Sequence, residues 1–148
     1  MRLFLDTNGL IDHALERKTG QPLEVAYILF KARKDQIPVF ISPGSLYTFA
    51  YIMNKNGIKG TALRARLDAY LSFLNISVSD KMVFAQGLTA GFRDIEDAFQ
   101  YASATAEQCD YLITTNVSDF EPFAENLRVL TPAQFVTQML HKKRGIDF

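Results

Sequence analysis

Residues 94–120 read DIEDAFQYASATAEQCDYLITTNVSDF, and this stretch decides the fold class. Asp94 to Gln108 has the spacing of a helix, with Ala98, Ala102, Thr105 and Ala106 as its packing stripe. Tyr111 to Thr114 (YLIT) is then a short strand, and Thr115 to Pro122 reads as a loop. A helix that delivers the chain into a short apolar strand is half of a β-α-β unit. If the unit recurs, a layered α/β domain follows.

It does recur in both directions. Upstream, Arg2 to Leu5 (RLFL) is an apolar run closed by Asp6, and Thr7 to Arg17 continues as a helix with Leu10, Ile11 and Ala14 on one face. Pro22 suits a first helical turn, and the amphipathic stretch behind it fails near Asp35. Pro38 to Ile41 (PVFI) is a second strand. Ser42-Pro43 reads as an N-cap with proline at the first helical position, and Gly57 stops that helix. Gly60 to Leu74 is helical, with Leu63, Leu67, Tyr70, Leu71 and Leu74 in register. Ile76 to Val78 is a short strand, and Ser79-Asp80 caps a helix ending near Gly91. Downstream, Arg128 to Leu130 is a last strand, and Thr131-Pro132 opens a last helix with Phe135, Val136 and Met139 inward. The expectation is a three-layer α/β/α fold around a central, mostly parallel sheet of about five strands.

A chain of 148 residues fits a single domain over 1–148, with a basic tail from about residue 141 (His141-Lys142-Lys143-Arg144). Cys109 is the sole cysteine, and His13 and His141 are the sole histidines, so neither a disulfide nor a Cys/His zinc site can form within the chain. A reducing, cytoplasmic setting fits. Asp6 interrupts the opening apolar run too early for a signal peptide, and no run reaches the roughly 18 apolar residues of a membrane helix. The 16 basic and 16 acidic residues cancel, so any nucleic-acid contact must be local, or assisted by a metal or a partner.

Ligands of parallel sheets bind beyond the carboxyl ends of the strands. The first strand ends in Asp6, with Asn8 two residues on. The second ends in Ser42, with Ser45 and Thr48 on the following helix. The YLIT strand ends in Thr114, followed by Asn116 and Asp119, and Asp97 lies in the first turn of the helix feeding it. Two carboxylates about 4 Å apart repel by roughly 4 kcal/mol at an effective dielectric of about 20. A divalent cation with a preference for oxygen, Mg²⁺ or Mn²⁺, removes that penalty and can polarise a phosphodiester and activate water. Each acid also has a purely structural reading. Asp6 and Asp94 can be N-caps, Asp94 with Asp97 resembles a reciprocal cap, Glu96 suits a solvated first turn, and Asn116 and Asp119 suit a turn.

Taken together, three segments resemble the PIN domain family: FLDTNGLID (4–12) its opening strand and D-x-N motif, ISPGSLYTFAYIM (41–53) its second motif, and 94–120 its acidic helix, strand and T-x-N/D-x-x-D-F segment. The resemblance spans nearly the whole chain. It implies a metal-dependent endoribonuclease of single-stranded RNA, often the toxin of a toxin–antitoxin pair and often a homodimer. It further implies Asp6, Asp97 and Asp119 as metal carboxylates, Asn116 as part of the last motif, and Asn8 and Thr114 as polar supports. The family's second-motif glutamate falls on Thr48, so the pocket carries one fewer charge, for which Glu96 or Asp94 can compensate. The alternative is a catalytically weakened PIN-like module that binds RNA or protein. Other acid-pocket folds fit less well. A haloacid-dehalogenase-type phosphatase needs a second Asp where Asn8 stands, a phosphoreceiver domain needs a lysine where Leu130-Thr131 stands, and no P-loop glycine pattern occurs.

Overall fold

The structure, a computed structural model, describes residues 1–141. The expected basic tail therefore lies outside the described residues, His141 excepted. The strands are β1 (Leu3–Leu5), β2 (Val39–Ile41), β3 (Asn75–Ile76), β4 (Tyr111–Ile113) and β5 (Arg128–Leu130). They form one sheet in the order β3-β2-β1-β4-β5, with every pair parallel. The helices are α1 (Thr7–Leu15), α2 (Pro22–Lys34), α3 (Pro43–Lys55), α4 (Gly60–Leu71), α5 (Lys81–Thr89), α6 (Ile95–Ala106), α7 (Val117–Phe120) and α8 (Pro132–Gln138).

Two apolar layers follow from the alternation of side chains along each strand. Leu3 and Leu5 of β1, Val39 and Ile41 of β2, Ile113 of β4 and Leu130 of β5 face one core, filled by Leu10, Ile28, Phe49, Met53 and Phe135 from the helices. The residues between them, Phe4, Phe40, Leu112 and Val129, face a second core closed by Ala104, Cys109, Phe120 and Leu127. β1 sits at the centre with every residue buried, which is why Leu3–Leu5 is apolar throughout instead of alternating.

The element order is the expected one, with local differences: α1 ends at Leu15 instead of Arg17, and α4 ends at Leu71, which is exposed instead of packed. Residues 117–123, expected as loop, hold α7 and a 3₁₀ turn (Glu121–Phe123). This winding carries Phe120 to full burial against Phe92, with ring centroids 5.7 Å apart. On α6 the buried residues are Ala98, Gln100, Ala102, Ser103 and Ala104, while Thr105 and Ala106 are exposed. Gln108 (φ 55°) turns the chain out of that helix toward β4. The third strand, expected over Ile76 to Val78, is instead Asn75–Ile76, and its edge position leaves Ile76 exposed.

Candidate functional site

The strand ends that meet at the carboxyl edge bring Asp6, Ser42 and Thr114 together. All three are buried. Asp6 is the N-cap of α1, and its Oδ1 accepts from the Thr7 backbone N–H at 2.9 Å. The same oxygen accepts from Gln100 Nε2 at 3.1 Å, and Oδ2 accepts from the Thr114 hydroxyl at 2.9 Å. Thr114 Oγ1 in turn accepts from the Asn116 backbone N–H at 3.0 Å, which fixes the start of α7. On the other side, Gln100 Nε2 also donates to Thr7 Oγ1 at 2.9 Å and to Ser45 Oγ at 3.2 Å. The Thr7 and Ser45 hydroxyls are 2.6 Å apart, and Ser45 Oγ is 3.0 Å from Ser42 Oγ. A continuous polar chain therefore links the ends of β1, β2 and β4 to α6.

The surrounding acids sense one another. Burial pushes the Asp97 carboxyl up to about 7, assisted by the negative charges of Asp6, Asp94, Asp119 and Glu96. Asp6 is also raised, by burial first and by the charge of Asp94 last, against the lowering effect of its bonds to Gln100, Thr114 and Thr7. Asp94 is the N-cap of α6, and its Oδ1 accepts from the Asp97 backbone N–H at 3.0 Å. The capping readings of Asp6 and Asp94 thus hold alongside their place at the acidic edge. Asp119 is exposed in the first turn of α7, and Asn116 is the residue before that turn. Asn8 is exposed on α1, and Thr48 is exposed on α3 and adds no carboxylate.

Gln100 and Thr7 were not among the residues singled out from sequence. The available signal was a glutamine among the alanines of a buried helical stripe, three residues after Asp97. The basic residues near the connection between α3 and α4 lie elsewhere: Arg66 donates to the Ala14 carbonyl at 2.8 Å, and Lys55 sits 4.9 Å above the Tyr51 ring. Tyr101 packs on Phe92 with centroids 5.2 Å apart.

The donor set suits a hard divalent cation, being rich in carboxylate and hydroxyl oxygen. Among the described residues no three His, Cys, Asp or Glu side chains form a ready-made cage. Mg²⁺ does not require one, since it usually binds through one or two carboxylates and keeps several waters. An acidic edge that holds one carboxyl near neutrality is also the environment a cation relieves. The residues fit an ion of this kind.

A parallel sheet bearing buried and half-buried acids at its carboxyl edge defines an acid-pocket α/β protein. The family model described as PIN domain matches residues 2–118, and the chain belongs to that family. No curated protein matches the sequence. Among solved structures, a toxin–antitoxin complex from Klebsiella pneumoniae is similar at 24% identity, covering 88% of this chain and 97% of that one, with a TM-score of 0.64. VapBC2 from Rickettsia felis, bound to a DNA fragment from its promoter, is 19% identical over 88% and 98% of the two chains, with a TM-score of 0.64. VapBC-1 from nontypeable Haemophilus influenzae is 15% identical over 90% and 99%, with a TM-score of 0.60. At these identities the likeness establishes the shared fold. Among the described residues no helix is long and apolar enough to cross a membrane.

Proposed function

We propose that this PIN domain is a Mg²⁺- or Mn²⁺-dependent endoribonuclease that hydrolyses single-stranded RNA, working in the cytoplasm as the toxin of a toxin–antitoxin pair. The observation that carries the reading is the buried Asp6 carboxylate at the end of β1, hydrogen-bonded to Thr114 of β4 and, through Gln100, to the helix that carries Asp97. Asp6 and Asp97 would hold the cation, with Asp119 and Asn116 completing the far side and Asp94 and Glu96 supplying nearby charge. When bound, the metal supplies charge neutralisation at the phosphodiester and activation of water. The protein's part is positional. Thr114, Thr7 and Gln100 hold the Asp6 carboxylate in one orientation, and the Asn116 backbone ties α7 to the same point. Asn8, exposed in the first turn of α1, would orient water or substrate at the rim.

Cleavage of a mixed single-stranded RNA pool with Mg²⁺ or Mn²⁺ tests this. Asp6→Asn and Asp97→Asn should each lose cleavage. Equal cleavage by wild type and both variants would sink the assignment.

The toxin reading includes a protein partner, and a groove favours one. A cavity of about 720 Å³ lies between α1, α2 and α4, lined by Leu29, Phe30, Tyr70 and Phe73 with Arg33, Lys34 and Arg66 among its walls and no acid. An apolar floor with a cationic rim suits an acidic amphipathic segment, the chemistry proposed here for the antitoxin. A second copy of the chain would use exposed apolar side chains outside the groove, such as Tyr47 and Tyr51 on α3.

The second reading, a PIN-like binding module with weakened catalysis, is favoured by Thr48 standing where the family's acid would be. Thermal stability with and without millimolar Mn²⁺ separates the two. A rise in Tm supports the nuclease, and no shift supports the binding module.

A further inference from the structure

Gln100 does more in the site than help hold the Asp6 carboxylate. It is a buried residue on the face of α6 toward the sheet edge. Its amide end meets three oxygens: Asp6 Oδ1 at 3.1 Å, Thr7 Oγ1 at 2.9 Å and Ser45 Oγ at 3.2 Å. A carboxylate oxygen with two hydroxyl oxygens around one amide atom requires that atom to be the nitrogen, because the carboxylate can only accept. The orientation of the side chain is thereby fixed by its surroundings.

The Asp6 carboxylate is held on both sides as a result. Thr7 N–H and Gln100 grip Oδ1, and Thr114 grips Oδ2. Of these donors, Gln100 alone comes from α6, the helix that carries Asp97. Its bond to Asp6 thus sets one acid relative to the other. It also recruits α3: that helix reaches Asp6 through Ser45 and Gln100, while its Thr48 offers no carboxylate.

We infer that Gln100 is the positioning residue of the metal site, fixing the Asp6 carboxylate against α6 and joining α3 to the pocket in place of an acid at position 48. This rests on the metal-dependent reading above. Groups that orient metal ligands typically affect metal affinity by about 10–100-fold.

The test is Mn²⁺ binding to the metal-free protein, followed by loss of the free-ion EPR signal. Gln100→Met keeps the length and helix preference of the side chain and removes both donors. It should weaken Mn²⁺ at least about tenfold. Gln100→Asn keeps the amide but is one methylene shorter; it should weaken Mn²⁺ similarly and serves as the test where the Met variant fails to fold. Thr131→Ala, which removes the cap of α8 and none of the hydrogen bonds around Asp6, is the control for general destabilisation, with a lowered Tm and unchanged Mn²⁺ affinity. Wild-type affinity in the folded Gln100 variants would overturn the inference. Absence of Mn²⁺ binding by the wild type would instead defeat the metal-dependent reading beneath it.

Discussion

Asp97 shows how a single side chain can make the site's electrostatics measurable. Its carboxyl is raised from 3.8 to about 7, by burial first and then by Asp6, Asp94, Asp119 and Glu96. A group whose folded pKa lies above its unfolded one binds more protons in the folded state. It therefore favours folding at low pH, and that contribution is lost as pH rises from about 3.8 to about 7. The metal-free protein should accordingly lose Tm across that window, and Asp97→Asn should flatten the decline in a series of melting curves. A wild-type curve no steeper than the variant's would show that the acids do not sense one another. Asp6, Asp97, Asn116 and Asp119 were legible because they fall at strand ends or in segments that resemble the family's motifs. Gln100 was not, because on a helical stripe of alanines nothing in the sequence says which turn of the helix passes the sheet edge.

The elements themselves were largely legible, because their ends carry chemistry. Asp6, Ser42, Asp80, Asp94 and Thr131 each accept from a backbone N–H at the start of a helix, and Thr131 with Gln134 completes a capping box. Thr131→Ala should cost about 1 kcal/mol, read as a shift of the urea midpoint without a change of slope. α7 was missed because four residues are too few to show a helical period, and burial of Phe120 rather than local preference winds them. The α5–α6 pair depends on close approach instead. A Cβ on Gly87 would stand 2.8 Å from Phe99 Cδ1 and 3.2 Å from the Ala98 carbonyl oxygen. Gly87→Ala should thus destabilise by about 1–3 kcal/mol in the same assay, although alanine is the better helix former. A stabilised variant would mean that α5 can move away from α6 at little cost.

For the whole molecule, the groove is lined by α1, α2 and α4 and shares no residue with the acidic edge, so the proposed catalysis and the proposed partner binding can be perturbed separately. A fluorescent peptide of alternating leucine and glutamate should bind the groove and be released by salt. Arg33→Glu combined with Arg66→Glu should abolish that binding while leaving Mn²⁺ affinity intact, and retained peptide binding would place the partner surface elsewhere. Fold class was readable because two buried faces impose apolar strands, whereas the groove was not, since helices distant in sequence form its walls. The lone thiol adds a practical consequence. Cys109 is buried between α6 and β4, with its pKa pushed up to about 12 by burial first, so it is inert while that junction is closed. A thiol-reactive dye added to the native protein should label at the rate at which the junction breathes, giving a one-site stopwatch for local opening that needs no engineered probe.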